Sequence, residues 1–265
     1  DKLADRIAGA IVDLAYKKES RPKVAVEILL GHGTATVVIE ASSKFEPEEI
    51  VPIVFRISGI KNLRLIQVPQ DAHLSQNQKE KIRCGDNGVF TAKWNPEYAM
   101  ATYLAQDIGK AFPFDGKYLF DFENKKATIC QSNTEKADIE KFMQSTPFTD
   151  VIINPLGDWI GGTDTDAGCT NRKLGSDQPF CNPNGLHGKD LSKADVSVSI
   201  YINAVSKENG GAFVKAYCSI GDEDVLVEIE NCPPFKIPFE TIVSFAHKYI
   251  QNLGGFEAFA EYGVI

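Results

Sequence analysis

The stretch from residue 153 to residue 195 carries the side chains best suited to chemistry. It is rich in Gly, Asp, Asn and Lys and lacks regular apolar spacing, so we expect a long functional loop. Cations can neutralise phosphate oxygens, carboxylates can bind divalent metals, and glycines let backbone N–H groups approach an anion. The sequence therefore predicts a phosphate-and-metal site. Between residues 166 and 195 the charged candidates are Arg172, Lys173, Lys189, Lys193, Asp166, Asp177, Asp190 and Asp195.

Composition limits the classes of protein to consider. The 265 residues are 43% hydrophobic and 24% charged, which is typical of a globular protein. The net charge of −8 argues against a general nucleic-acid or membrane surface, so a phosphate site must be a local basic pocket. No run approaches the ~18 apolar residues of a membrane span and no signal peptide is visible, so we expect a cytoplasmic protein. The six cysteines form no CxxC pair, which favours reduced thiols.

The elements that must position these residues repeat along the sequence. Helices of similar pattern begin near residues 1, 96 and 192, and each is followed by a hairpin and a second helix. The predicted helices are 1–17, 47–58, 96–112, 134–144, 192–208 and 238–253. The predicted strands are 23–30, 34–41, 62–68, 118–123, 127–131, 149–153, 212–220 and 225–230.

This repeat predicts an α+β fold of three similar units, each an antiparallel sheet with helices on one face. We expect the first unit at 1–95, with a mobile polar loop at 69–88, and the second at 96–154. The segment 155–265 then contains the active-site loop and the third unit. Each sheet leaves an apolar face that another sheet or a second subunit must cover.

Motifs along most of the chain resemble those of the S-adenosylmethionine synthetase (methionine adenosyltransferase) family. The family motifs are His-Pro-Asp-Lys, Gly-Ala-Gly-Asp-Gln-Gly, Asn-Pro-Thr-Gly, Ile-Gly-Gly, Gly-Asp-x-Gly-Leu-Thr-Gly-Arg-Lys and a polyglycine followed by Ala-Phe-Ser-Gly-Lys-Asp-x-x-Lys-x-Asp. The first is matched only by its second half. The matching segments, in the same order, are 1–2, 83–88, 154–157, 160–162, 165–173 and 182–195.

The resemblance implies three α+β domains about a pseudo-threefold axis. It also implies synthesis of S-adenosylmethionine from ATP and L-methionine, with cleavage of the tripolyphosphate to diphosphate and phosphate. Two Mg²⁺ ions per site and K⁺ would assist, in a homodimer or dimer of dimers whose active sites lie at the subunit interface. Such a site stabilises the leaving charge rather than supplying a covalent nucleophile. Neither nucleic acid nor membrane is an expected partner.

The resemblance also assigns residues by position. For ATP binding it assigns Asp86, Asp115, Lys117, Trp159, Arg172, Lys173 and Lys189. For catalysis by charge stabilisation it assigns Lys117, Arg172, Lys173, Lys189 and Lys193. For methionine it assigns Glu40, Gln76, Asp166, Lys193 and Ile220. For metals it assigns Asp1 and Asp195 to Mg²⁺ and Glu27 to K⁺.

Plainer interpretations of these residues remain open. Asp1 is also consistent with a carboxylate that stabilises the first turn of a helix, although Lys2 and the downstream matches favour metal binding. Glu27 and Glu40 alternate within apolar strands, as solvent-facing charges do. Lys189, Lys193 and Asp195 fit a solvated helix end.

The sequence also departs from the family pattern. The His-Pro that precedes Asp-Lys is absent, and we expect it upstream of Asp1 in the intact protein. Asp158 and Trp159 replace an Arg-Phe pair beside the adenine, Asn87 replaces Gln, and the polyglycine is lost. These changes indicate a compact, divergent member. They leave a nucleotide- or polyphosphate-binding pseudoenzyme or regulatory subunit as a second hypothesis, and a tripolyphosphatase as a third.

Overall fold

The computed structural model describes residues 1–71, 81–172 and 186–263. Within these ranges the helices are α1 (Lys2–Lys18), α2 (Pro47–Ser58), α3 (Pro96–Ala111), α4 (Lys136–Met143), α5 (Ala194–Glu208), α6 (Phe239–Leu253) and α7 (Phe256–Tyr262). The strands are β1 (Val24–Gly31), β2 (Thr34–Ala41), β3 (Asn62–Pro69), β4 (Gly88–Ala92), β5 (Gly116–Asp121), β6 (Lys126–Gln131), β7 (Asp150–Ile153), β8 (Ala167–Cys169), β9 (Val214–Cys218), β10 (Asp224–Ile229) and β11 (Phe235–Pro238).

The structure divides into two compact units. One comprises Asp1–Asn95 and the chain from Ala167 onward, and the other is Pro96–Asp166. The larger unit contains two four-stranded sheets and the smaller one a three-stranded sheet. In the described part of the chain no helix is both long and apolar enough to span a membrane.

The first sheet has the strand order β3-β2-β1-β8. β1 and β2 form an antiparallel hairpin whose turn residues, His32 and Gly33, have φ of 47° and 72°. Two positive φ values are typical of the tight turn that matches the twist of the strands. α1 packs on the sheet through apolar residues of one face, including Ile7 and Ile11, which are fully buried. The hairpin and helix predicted here are therefore present.

β2 and β3 run parallel, and a parallel pair needs a crossover connection. α2 forms that connection. Glu46 and Glu49 form a capping box at the start of α2, and Pro47 occupies its first turn. Gly59, at φ 74°, ends the helix in the left-handed conformation. Each boundary of α2 therefore follows from local sequence.

The second sheet has the order β11-β10-β9-β4 and is covered by α5 and α6. Val198 and Ile202 of α5 and Phe239 and Ile242 of α6 are fully buried against it. β4 comes from the segment that precedes the smaller unit, so strands distant in sequence complete this sheet.

The smaller unit repeats the topology of the first sheet. β5 and β6 form an antiparallel hairpin, and β7 runs parallel to β6 after the crossover through α4. Its core includes Ile108 of α3, Ile129 of β6 and Ile139 of α4, with Phe120 stacked on Phe148 at 5.3 Å between ring centroids.

These three sheets, each with helices on one face, confirm the predicted α+β fold. The prediction that every sheet is antiparallel was wrong, because the crossover helices make β3 parallel to β2 and β7 parallel to β6. Four short elements were not predicted: β4, β8, β11 and α7. The five cysteines of the described ranges are free thiols.

Candidate active site

The N-terminus of α5 is the centre of the candidate site. Lys193 directly precedes the helix and Asp195 lies in its first turn. Asp86 binds this end through Oδ2, which accepts a hydrogen bond from the Ala194 N–H at 2.8 Å, while its Oδ1 lies 3.7 Å from Lys193 Nζ. A carboxylate is favourable here because the first N–H groups of a helix lack intrahelical partners. Asp86 therefore fixes the helix end that carries Lys193 and Asp195.

Asp195 is a buried carboxyl group beside another carboxylate. Burial, followed by the neighbouring Asp86 carboxylate, raises the pKa of Asp195 to about 8, against the opposing effect of Lys189 and Lys193. Its Oδ1 atom is buried and has no hydrogen-bond partner in the described ranges. Burying an unpaired carboxylate is costly, and a bound cation removes that cost. Asp195 therefore fits a metal ligand.

A complete protein cage for a metal is not formed by the residues that the structure describes. Among these described residues, no three His, Cys, Asp or Glu side chains lie close enough together to hold an ion. Mg²⁺ commonly binds one or two carboxylates and takes its other ligands from substrate phosphates and water. The donor set around Asp195 suits that open type of site.

Lys189 lies beside β1, where it forms an isolated bridge with Ala25. Its Nζ is 3.3 Å from Glu27 Oε1, and the Thr170 hydroxyl donates a hydrogen bond to Glu27 Oε2. The Glu27 side chain is 53% exposed, so this ion pair is screened by solvent and adds little stability. The contacts instead place the Lys189 ammonium at the edge of the first sheet.

Both carboxylate oxygens of Asp190 are bound by protein groups, in contrast to those of Asp195 five residues further on. Its Oδ2 accepts a hydrogen bond from the Val24 N–H at 2.9 Å. Its Oδ1 accepts hydrogen bonds from the N–H and hydroxyl of Ser192 at 2.9 and 2.6 Å, and Lys23 Nζ lies 3.6 Å from the same oxygen. Because both oxygens are satisfied by protein, Asp190 anchors the loop to β1.

Asp1 is held against β8. Its Oδ1 accepts a hydrogen bond from the Cys169 N–H at 3.0 Å. Gly168 packs so closely that a Cβ there would lie 2.6 Å from the Asp1 nitrogen. The structure thus places Asp1 next to the segment that leads to Arg172, and its assignment to Mg²⁺ stays a prediction.

Glu27 and Glu40 share the solvent-facing side of the first sheet. Glu40 pairs with Ala25 in the strand ladder and Glu27 pairs with Val38, one step further along the same face. The two carboxylates are therefore diagonal neighbours. Large apolar side chains share this face and are exposed: Leu29, Ile66 and Val68, at 55%, 36% and 44%.

Ile220 lies in the turn between β9 and β10 and is 53% exposed. Its N–H donates to Asn87 Oδ1 at 2.8 Å, and the N–H of Ser219 donates to Asp222 Oδ2 at 2.8 Å. The replacement of Gln by Asn at position 87 thus retains an amide that holds this turn. One short segment, with Asp86 and Asn87, positions both the start of α5 and Ile220.

In the smaller unit, two side chains fix the Gly161-Gly162 turn. The Asp115 Oδ2 accepts the Gly162 N–H, and Asn133 Oδ1 accepts the Gly161 N–H at 2.8 Å. A Cβ on Gly161 would lie 2.6 Å from the same Asp115 oxygen, so a larger residue there would displace the Asp115 side chain. Asp115 therefore fixes the Gly161-Gly162 turn within the smaller unit.

The other assigned residues of the smaller unit lie on its surface. Lys117 is exposed on β5, opposite Cys130 in the ladder. Trp159 is 37% exposed, and its carbonyl accepts a hydrogen bond from the Asn133 N–H at 3.1 Å. Asp166 is exposed, and its N–H donates to the Gly162 carbonyl at 3.0 Å. These side chains are accessible to a ligand.

Arg172 is exposed at the end of a described range. Lys173 and Gln76 lie outside the described residues, as does the centre of the loop predicted at 69–88.

Two residues that sequence reasoning did not single out hold the two ends of the loop together. Asn171 has φ of 65°, and its Oδ1 accepts a hydrogen bond from the His187 N–H at 3.1 Å. Asn tolerates this left-handed conformation better than most residues, so it replaces the family glycine without losing the turn. The motif contained a signal for this turn, because an asparagine occupies a position where the family has glycine.

His187 replaces part of the polyglycine and is buried beside Phe259, at 5.3 Å between ring centroids. Burial, with a smaller effect of the Lys2 charge, lowers the pKa of His187 to about 3, so its ring is neutral at physiological pH. Its Nδ1 has no hydrogen-bond partner among the described residues. His187 therefore packs as a core residue.

Three curated relatives, each named S-adenosylmethionine synthase, are similar to this chain over most of its length. The protein from Nitratiruptor sp. is 27% identical, covering 91% of this chain and 80% of its own. That from Helicobacter pylori strain J99 is 26% identical, covering 78% and 69%, and that from Acholeplasma laidlawii 24% identical, covering 83% and 74%. No family model matches the sequence.

A solved structure shares the fold. It is described as an unusual S-adenosylmethionine synthetase from Campylobacter jejuni, and it superposes with a TM-score of 0.66 over 94% of this chain and 83% of the other. The two sequences are 16% identical, so the likeness concerns the fold. The motifs, the relatives and this shared fold together make the chain similar to S-adenosylmethionine synthetases, at the low identity of a divergent relative.

Proposed function

We propose that this protein synthesises S-adenosylmethionine from ATP and L-methionine and cleaves the tripolyphosphate to diphosphate and phosphate. The observation that carries the proposal is the environment of Asp195. A buried carboxylate oxygen without a partner, near Lys189 and Lys193, suits a magnesium polyphosphate. The names of the relatives support S-adenosylmethionine as the product.

In this reaction the methionine sulfur attacks C5′ of ATP, and the triphosphate departs with its negative charge. Lys117, Arg172, Lys173 and Lys189 neutralise that charge. Lys193 lies near the reacting groups, where its pairing with Asp86 limits its freedom. Fixed charges of this kind stabilise a transition state because they need no reorganisation when the bond breaks. Asp86 and Asp115 act mainly by ordering the backbone that surrounds the nucleotide.

Mg²⁺ would supply further charge neutralisation on the phosphate oxygens, and we assign it to Asp195 and Asp1, with two ions per site. Glu27 is the proposed K⁺ ligand. The Glu27 carboxylate already contacts Lys189 and Thr170, and its exposure leaves room for a large monovalent ion. Trp159 offers an exposed ring on which an adenine can stack.

For methionine, the proposed contacts combine opposite charges with an apolar wall. Glu40 and Asp166 bind the ammonium and orient the amino acid, Gln76 and Lys193 contribute polar contacts, and Ile220 flanks the side chain. The exposure of Ile220 leaves its side chain accessible to the substrate.

We further propose a homodimer or dimer of dimers with active sites at the subunit interface. The exposed face that carries Glu27 and Glu40 also carries Leu29, Ile66 and Val68. An apolar sheet face of this kind is typical of a surface that another subunit covers.

The test is a direct assay of the purified natural full-length protein with ATP, L-methionine, Mg²⁺ and K⁺. We expect S-adenosylmethionine and diphosphate in equal amounts. Lys189→Met should lower kcat at least a hundredfold, whereas Lys136→Met, which removes an exposed cation paired with Glu140, should leave it unchanged. ATP binding without product would instead indicate a pseudoenzyme, and phosphate release from tripolyphosphate alone would indicate a tripolyphosphatase.

A further inference from the structure

Asp5 is a buried carboxylate for which the proposed mechanism has no role. It lies on α1, one helical turn after Asp1, and is only 1% exposed. Its Oδ1 accepts a hydrogen bond from the Asn171 N–H at 2.8 Å. Charged residues are rarely buried unless they make specific contacts, so this contact is a candidate reason for the presence of Asp5.

Asp1 and Asp5 act on the same segment. Residues four apart lie on one face of a helix, and N–H groups two apart in an extended segment point in the same direction. Asp1 accepts the Cys169 N–H and Asp5 accepts the Asn171 N–H, at 3.0 and 2.8 Å. The start of α1 therefore binds this segment as a neighbouring strand would.

The residue between them faces the other way. The Thr170 N–H donates to the Ile28 carbonyl at 3.0 Å, and its hydroxyl donates to Glu27. The segment is thus held from both sides up to Asn171, where the chain turns at φ 65°. Arg172 follows directly and is exposed, so the Asp5 contact is the last of these alternating side-chain contacts before that cation.

We propose that Asp5 is a positioning residue for the triphosphate site: its carboxylate fixes the Asn171 amide and thereby the backbone from which Arg172 extends. The inference rests on the proposed function, in which Arg172 neutralises the triphosphate. A guanidinium on a fixed backbone loses less conformational freedom when it binds an anion, so loss of the contact weakens binding.

The test measures binding of tripolyphosphate with Mg²⁺ by calorimetry, and the KM values for ATP and methionine, in the full-length protein. Asp5→Ala should weaken tripolyphosphate binding and raise the KM for ATP at least tenfold, with the KM for methionine within twofold of wild type. Asp5→Asn retains an oxygen acceptor and should restore both values to within threefold.

Asp13→Ala is the matched control. Asp13 lies on the same helix, and its carboxylate accepts the Phe256 and Glu257 N–H groups at 2.7 and 2.9 Å. It should lower thermal stability as Asp5→Ala does, yet leave tripolyphosphate affinity unchanged. If Asp5→Ala does not fold, Asp5→Glu replaces it. That variant keeps the charge but displaces the oxygens by one methylene, and it should weaken binding where Asp5→Asn does not.

The outcomes separate the two proposals. A wild-type protein that makes no S-adenosylmethionine overturns the proposed function and removes the basis of this inference. An active wild type, in which Asp5 variants and Asp13→Ala bind tripolyphosphate equally well, overturns the role of Asp5 alone.

Discussion

The raised pKa of Asp195 makes the proposed magnesium binding measurable through protons. A carboxyl group with pKa about 8 is mostly protonated at pH 7, and a metal ligand must be deprotonated. From these values, each Mg²⁺ that binds Asp195 at pH 7 should release about 0.9 proton. The apparent Kd should be roughly fiftyfold weaker at pH 6 than at pH 8, because the carboxyl must first lose its proton.

The same group has an effect on the stability of the metal-free protein. The folded pKa of about 8 lies above the ordinary value of 3.8, so between these limits the folded state retains a proton that the unfolded chain releases. The free energy of unfolding must therefore fall as pH rises through this window, by at most about 1.4 kcal/mol per pH unit. Full stability from this group is present only below about pH 4.

Asp195→Asn tests both effects. Calorimetry in two buffers of different ionisation enthalpy counts the protons released with Mg²⁺, and urea unfolding at several pH values gives the stability slope. The variant should release no proton and show a flatter slope. Asp86→Asn removes the neighbouring charge while keeping an acceptor for the Ala194 N–H, so it should move the midpoint of Mg²⁺ binding to lower pH.

A wild-type protein that binds Mg²⁺ without proton release between pH 6 and 8 would refute this reasoning. So would an Asp195→Asn variant with unchanged affinity, since the ion would then bind elsewhere.

Three further predictions concern stability. His187, whose pKa is lowered from 6.5 to about 3, should destabilise the fold progressively as pH falls from 6.5; His187→Leu should remove this acid-side slope in urea titrations, and an unchanged slope would contradict it. Gly188→Ala should lower the free energy of unfolding by ~2 kcal/mol more than Gly59→Ala does. Both glycines have φ above 70°, but only a Cβ on Gly188 would meet the Val26 carbonyl oxygen, at 2.4 Å. Equal losses of unfolding free energy in the two variants would show that this clash has no effect. Tyr118→Phe should cost about 1 kcal/mol, because the hydroxyl donates to buried Gln131 Oε1 at 2.6 Å; calorimetric melting that shows no loss would count against the bond.

Long elements with a clear period were predictable from sequence. α1 follows from the spacing of Ile7 and Ile11, and the first hairpin from two β-branched runs around His32 and Gly33. α7 was not predictable in this way. It follows Gly254 and Gly255, and by local criteria two glycines mark the end of a helix rather than the start of a new one. β8 has only three residues, and its existence depends on pairing with β1, more than 130 positions away. Local patterns cannot report such a partner.

The candidate site shows the same division. Sequence identified the four loop carboxylates as one class, but the structure separates Asp190 from Asp195. Donors from Val24 and Ser192 satisfy Asp190, whereas Asp195 has a buried oxygen without a donor. The difference arises because Asp190 meets the backbone of β1, whereas Asp195 lies in the buried first turn of α5. Spacing along the chain therefore indicated the chemistry, and tertiary contacts decide which residue performs it.

The packing of the first helix on the last has a consequence for how the protein folds. α1 packs on α7, and Arg6 pairs with Glu257 at 3.1 Å, so this contact joins segments about 250 residues apart and forms late in synthesis. The first sheet also waits for β8. The segment 96–166, in contrast, makes its sheet from contiguous strands and can fold while the rest is still emerging from the ribosome. We expect the larger unit to complete folding only after α7 has been synthesised, with the apolar side of α1 uncovered until then.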